Sequence, residues 1–524
     1  MDPTFGARRI PGKLVAGIAV LFFAAVTGWL IGQRTFFVLP VVAGMAIFVV
    51  LLIGPRVSRL FVLALGLLLV GYALLDRGFA YLGLHPVYIG EIVLALAVMT
   101  ILFAPRTRPQ LNWITLALAT FMGWGFARLL TDVGQYGIVA VRDSVIWLYG
   151  LFAIAVGVSL HEDNLRRLIR VYSKLVVPFL IIAPAAVILV RIAADSIPRW
   201  PGSGVPILHY KGGDLAVHLS GIGALILFGL YRDHTRAGAM SETRLWILWG
   251  LGASVSLTGR AALLTITLAV LLTFIVCNII PSPKPRPDAN PESRDKSHIS
   301  RGQTVVFSAV MIFMAILFLI LDPNISLGSR SVSVDQVRQN ILSLLNNDST
   351  DSGLQGSKRW RQEWWNKIYN YTVHGPYFWT GKGFGINLAN DDGFQVSAGE
   401  SLRSPHNGHM TILARMGVPG FVLWTVLQLS FGLSLLSALI RSARRKDRFW
   451  AQVNAWILVY WVAFLINATF DVYLEGPQGG IWFWSLFGAG IAALQMQAAS
   501  NRQARESTAL AWQERTRLAS RAHP

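Results

Sequence analysis

Cysteine is almost absent from this chain. Cys277 stands alone among 524 residues, so no intrachain disulfide can form. A lone thiol inside an apolar run reads as a small core residue. Charge is scarce too: 14% of residues are Asp, Glu, Lys or Arg, against about 25% in soluble domains. That scarcity excludes an ordinary water-soluble fold. The period-2 alternation of an outer-membrane barrel is missing, which excludes spanning strands. The first apolar run is of spanning length and lacks a clear small-residue cleavage site, so no cleavable signal peptide is expected. The HExxH zinc pattern and the GxxxxGK[ST] phosphate loop are also missing.

What the chain has is hydrocarbon: 54% of residues are hydrophobic and the mean hydropathy is +0.51. Apolar runs recur from end to end. They predict an all-α polytopic membrane protein with about 14 transmembrane helices. The segments lie near 14–33, 35–54, 58–76, 89–104, 112–130, 137–159, 170–192, 214–231, 244–257, 260–280, 303–321, 411–437, 450–467 and 480–498. The net charge of +19 does not point to nucleic acid, because the basic residues sit in short links at alternate connections. Arg56 and Arg59, Arg106 and Arg108, Arg166, Arg167 and Arg170, and Arg441 to Arg448 are examples. The positive-inside rule puts those links and both termini in the cytoplasm.

Four regions follow. Residues 1–321 form a transmembrane bundle of the first eleven helices, interrupted by a Pro-rich cytoplasmic linker at 281–302 that reads as disordered. Residues 322–410 form one large extracytoplasmic loop, mainly helical and rich in Trp and Tyr, of the kind that folds and carries function. Residues 411–498 hold the last three transmembrane helices, and 499–524 a basic cytoplasmic tail.

Polar groups collect on the outer side of this topology. His406 and His409 close the loop in Ser404-Pro405-His406-Asn407-Gly408-His409, where a membrane helix begins. Arg260 lies at the outer end of two short segments. Arg142 is about one turn into the sixth segment. Arg359 and Arg361 sit in the loop, and Asn467, Asp471 and Glu475 close the thirteenth segment. Arginines near a bilayer mark function or a paired partner. Guanidinium groups hold diphosphate oxygens through forked, charge-assisted bonds, and they neutralise a diphosphate leaving group without a metal. A neutral imidazole takes the proton of a sugar hydroxyl. The reaction suggested is glycan transfer from a lipid-linked pyrophosphate donor. Arg142, Arg359, Lys211, Lys382, Asn407, His409 and Asp471 complete the candidate substrate-binding set.

Plainer readings stand beside these. Arg142 either snorkels to the interface or pairs with Asp143. Arg260 doubles as an outer-end anchor. Lys358 and Arg359 suit a solvated helix face with Glu363. His406 and His409 also fit structural roles at a helix entry. Gly381-Lys382-Gly383-Phe384-Gly385 reads as a tight turn returning the loop to the membrane, not a nucleotide site. Asp391-Asp392-Gly393 reads as a turn before a calcium site.

Taken in order, four stretches resemble the bacterial O-antigen ligase and O-antigen polymerase superfamily. They are Ser256-Leu257-Thr258-Gly259-Arg260, Arg361-x-x-x-Trp365, Gly381-Lys382-Gly383-Phe384-Gly385, and His406-Asn407 followed by Gly417-x-x-Gly420. The resemblance covers about residues 250–425. It implies an inner-membrane glycosyltransferase with an undecaprenyl-pyrophosphate-linked donor, a glycan or lipid acceptor, and inverting, metal-independent transfer without a cofactor. By position His406 is similar to the family's loop histidine, the base. Arg260 and Arg361 are similar to its diphosphate-holding arginines, with Arg359 two residues from the second. The chain departs from the family in Gly259 before Arg260 and in its higher helix count, so ligase and polymerase both stay open. A lipid-linked sugar flippase is the reading from another class. It would place charge through midplane helices, whereas here charge clusters outside.

Overall fold

The computed structural model describes residues 57–84, 87–103, 112–234, 240–256, 259–281, 325–327, 330–332, 352–396, 399 and 401–521. The expected segments 14–33, 35–54 and 303–321 lie outside these residues. So do the linker beyond Pro281, most of 322–351, and Leu257 and Thr258.

The described chain is overwhelmingly helical. Its main helices are α1 Val57–Leu75, α2 Ile89–Phe103, α3 Trp113–Tyr136, α4 Ile138–Asp143, α5 Val145–Leu148, α6 Gly150–Ser159, α7 Glu162–Ile192, α8 Gly212–Leu227, α9 Glu242–Ser256, α10 Arg260–Cys277, α11 Ser352–Val373, α12 Leu388–Asp392, α13 Gly408–Arg444, α14 Arg448–Ala468 and α15 Pro477–Arg521. Among the described residues seven helices are long and apolar enough to cross a membrane: α1, α3, α7, α10, α13, α14 and Pro477–Gln503 of α15. Helix α2, the run Val145–Ser159 and α8 are shorter and apolar. Among the described residues strand is confined to two small antiparallel pairs, Gly83–Leu84 with Val87–Tyr88 and Ile325–Leu327 with Arg330–Val332.

Local signals explain most boundaries. Asn112 caps α3 in a reciprocal capping box with Thr115, each side chain bonding the other's backbone N–H at 2.9 Å. Asp447 caps α14 through Trp450 N at 3.3 Å. The expected sixth segment is broken rather than continuous. Gly137 takes φ 55, and the Ser144 hydroxyl donates to Val141 O at 2.7 Å. Such side-chain bonds compete with the helix ladder.

Helices α8, α14 and α15 form the centre. Every α8 side chain from Asp214 to Leu227 is buried. Between apolar helices the driving force is close packing, so small residues sit at crossings. Gly221 lies against the Tyr460 ring and Gly488 against the Ala153 backbone. Tryptophan indoles satisfy interior carbonyls: Trp249 donates to Leu219 O at 2.7 Å, Trp456 to Gly221 O at 3.0 Å and Trp484 to Ile146 O at 3.0 Å. A second, smaller core forms on α13, in which Trp364, Ile368, Leu388 and Ala389 pack on Leu413 and Ala414.

Candidate functional site

The site begins where α13 begins. His406 holds φ 53, in the left-handed region, an uncommon place for a residue other than glycine that costs about 1–3 kcal/mol. Its neighbours fix it there. The Trp365 indole donates to Pro405 O at 3.0 Å. Asn407 is the N-cap of α13, its Oδ1 accepting His409 N at 2.9 Å and Met410 N at 3.1 Å. The His406 ring faces the turn after α14, with Nδ1 3.8 Å from Asp471 Oδ1 and its centroid 6.3 Å from that of Trp360.

Asp471 is shared. Its Oδ2 accepts Lys211 Nζ at 2.9 Å, and its Oδ1 accepts Val472 N at 2.8 Å. Burial opposes its charge, but His406, Lys211 and the Val472 N–H outweigh burial and hold the carboxyl well below the usual carboxylate range. Burial likewise opposes the Lys211 ammonium, and the Asp471 and Asp214 charges overcome it, raising Lys211 above the ordinary lysine value.

Helix α11 delivers Arg361 to the same turn. Its Nη1 donates to Phe470 O at 3.0 Å, one residue before Asp471. Arg361 and Trp365 are one helical turn apart, so both reach this side of α11. Arg260 is the first residue of α10 and half-buried. A contact path joins it to Lys211: a Cβ on Gly212 would lie 3.1 Å from Ser256 O, and Gly259 N donates to that same carbonyl at 3.4 Å. The same Cβ would lie 3.4 Å from Arg191 Nη2. Arg191 was not among the sequence candidates. Its signal was an arginine in the last turn of a spanning helix.

The structure thus gathers His406, Asp471, Lys211 and Arg361 at one turn, with the start of α10 alongside. Other candidates have different partners. Arg359 is 83% exposed and pairs with Glu363 at 2.8 Å, as the solvated-face reading expects. Arg142 is exposed on α4, while its neighbour Asp143 binds Arg403 and Arg415 at 2.8 and 3.1 Å. His409 Nε2 meets Leu465 O at 3.2 Å, and its Nδ1 accepts the Trp424 indole at 3.1 Å. That leaves neither ring nitrogen for a metal shared with His406.

The glycine loop is docked on protein. Gly381, Gly383 and Gly385 all have φ between 62 and 100, conformations that favour glycine. Phe384 N donates to Asp132 Oδ2 at 2.8 Å and Gly385 N to Asp143 Oδ2 at 3.1 Å. Lys382 N and Gly383 N donate to Ala414 O and Arg415 O at 2.7 and 3.1 Å. These amides serve carboxylates and carbonyls, so the loop is a turn. Lys382 Nζ is held by Asp391 and, at 2.6 Å, by Asp392, over the Tyr371 ring. Buried Arg415 ties the loop down through Gly383 O and Ile386 O at 3.1 and 3.3 Å. At Gly417, with φ 69 and ψ −172, α13 kinks and Val418 N donates to Phe378 O at 2.8 Å. Asp132, Arg403 and Arg415 were not singled out from sequence, and Asp143 was read only as a partner for Arg142, because their actual partners are remote in the chain.

No curated protein matches the chain. Residues 222–425 match the family model described as O-antigen ligase. In this multi-pass membrane chain that stretch, which contains Arg260, Arg361 and His406, is similar to the O-antigen ligase family.

Proposed function

We propose that the protein is an O-antigen ligase-like glycosyltransferase that moves a glycan from an undecaprenyl-pyrophosphate carrier to an acceptor hydroxyl on the extracytoplasmic side. The observation that carries this reading is the meeting of His406, Asp471, Lys211 and Arg361 at one turn. Asp471 faces Nδ1 of His406, which favours the proton there and leaves the Nε2 lone pair for substrate. The acceptor hydroxyl gives its proton to Nε2 as its oxygen bonds the anomeric carbon with inversion. The bond from that carbon to the diphosphate breaks, and the electron pair leaves on undecaprenyl diphosphate. Arg260, Arg361 and Lys211 hold the leaving charge.

The test is purified protein with a lipid-linked glycan, with and without a separate acceptor. Transfer that requires the acceptor supports the ligase. Laddering with donor alone means a polymerase of the same fold. His406→Ala should lower turnover by about 10² to 10⁴ with membrane insertion intact, and near-normal turnover would remove His406 as the base.

A further inference from the structure

Behind Lys211 lie two buried carboxyl groups that the transfer itself does not use. Asp76 follows α1, is 1% exposed and holds φ 52. A residue other than glycine keeps such a backbone only when its surroundings impose it. Here His209 N donates to Leu75 O at 3.4 Å, and Lys211 N donates to Asp76 Oδ2 at 3.3 Å. Asp214, in the first turn of α8, is 2% exposed and accepts Asn467 Nδ2 at 3.4 Å. The Asp76 and Asp214 carboxyl groups are buried neighbours that act on each other, both reached from the Lys211–Asp214 stretch. Two carboxylates have no hydrogen to share, so a bond across this pair needs a proton on one of them. Full ionisation of both would bury adjacent like charges.

We propose that Asp76 and Asp214 form a one-proton carboxyl pair that positions Lys211, and through it the Asp471–His406 couple. The proposal rests on the transfer reading above. Lysine carries its charge on a flexible stem. With one negative charge on the pair and one on Asp471, the ammonium is drawn from two sides and stays where Asp471 needs it. Among the described residues the titratable and charged groups around the pair include Lys211, Asp471, Arg77, His209, Tyr210 and Tyr473, with Arg191 against Gly212. The Tyr210 hydroxyl is committed to Ala73 O at 2.8 Å. Lys211 is the cation whose own backbone N–H also reaches the pair. Rising pH removes the shared proton, leaves two negative charges, and pulls Lys211 inward from Asp471.

The test uses Asp76→Asn, Asp214→Asn and the double variant in full-length detergent-solubilised protein. Asparagine can donate the same hydrogen bond but holds no titratable proton. Infrared spectra of ligand-free protein carrying Glu475→Gln, which removes another raised buried carboxyl, should show a buried carboxylic-acid C=O band that disappears when either Asp76→Asn or Asp214→Asn is added. A band surviving in both overturns the pair, and this readout needs no turnover. It therefore decides the pair even if the wild type consumes no lipid-linked glycan, a result that would sink the transfer reading instead. In turnover, the double variant, which lacks the charge, should lose at least about tenfold in kcat with donor KM within about twofold. Each single variant should lose less, and its alkaline decline should move to higher pH. An unaltered pH profile in both single variants, or a double variant with wild-type kcat, refutes the positioning role. Should the double variant fail to fold, the single variants decide through the band and the pH profile.

Discussion

The Asp471 carboxylate faces the His406 imidazole, Oδ1 3.8 Å from Nδ1. An anion at that distance favours one tautomer and steadies the imidazolium formed when Nε2 takes a proton. Asp471→Asn should therefore lower kcat by about 10²-fold, less than His406→Ala, with a small change in donor KM. A pH consequence follows from the depressed carboxyl. Its stabilising contribution is complete above the ordinary carboxylate range and is lost as pH falls toward the folded value. Thermal unfolding in detergent should show the wild type losing stability below about pH 4 and the Asn variant losing less. Parallel acid curves would count against the His406 and Lys211 contacts.

Arg361 and Arg359 are two residues apart and face different surroundings. Arg361 meets Phe470 O, and Arg359 meets solvent and Glu363. Arg361→Ala should raise donor KM by about 10- to 100-fold, the worth of one or two charge-assisted bonds. Arg361→Lys should recover part of it, because lysine keeps the charge and loses the fork. Arg359→Ala should stay within about twofold, since exposed pairs contribute little. Steady-state kinetics on the same donor tests all three, and the reverse ordering would move the diphosphate contact onto Arg359.

The contrast shows what the sequence made legible. His406, Asn407 and the start of α13 were readable because a cap, a proline and an apolar run are local signals. Membrane character was readable from composition. The two arginines were not separable, since their spacing gives helix faces only once the packing of α11 is known. Asp143 with Arg403, and Asp132 with Phe384, join residues more than two hundred positions apart. No periodicity announces such a pair. The Asp76–Asp214 pair escaped for a further reason: each looked like an ordinary acid at the end of an apolar segment. The kink of α13 at Gly417 lay inside an apolar run that looked continuous.

Lys382 tests whether the glycine loop is structural. Its side chain is 8% exposed and neutralises Asp392, which is fully buried. Asp392 also accepts the Trp364 indole at 2.7 Å, which ties the loop to α11. Lys382→Met leaves a buried carboxylate without its cation, a loss of about 3–5 kcal/mol. Lys382→Met with Asp392→Asn should recover much of that loss, because no buried charge is stranded. The readout is thermal unfolding of both variants. A single variant as stable as wild type, yet with weakened donor binding, would return Lys382 to the substrate site.

Glu475 offers a pH effect of opposite sign. It ends the turn Tyr473–Glu475, and its Oε1 is buried without a hydrogen-bond partner among the described residues. Burial pushes its carboxyl up to about 6 from an ordinary value of 4.5, although bonds to Thr411 and Ser404 and the charge of Arg415 pull the other way. A raised folded value means that the stabilising contribution is complete below the ordinary glutamate range and disappears as pH rises through the folded value. The loss is on the order of 2 kcal/mol. Glu475→Gln keeps the shape and removes the charge. It should unfold at a higher temperature than wild type at pH 8, with the gap closing or reversing near pH 4.5. A gap independent of pH would mean that Glu475 stays ionised in the folded protein and that water or substrate reaches its free oxygen.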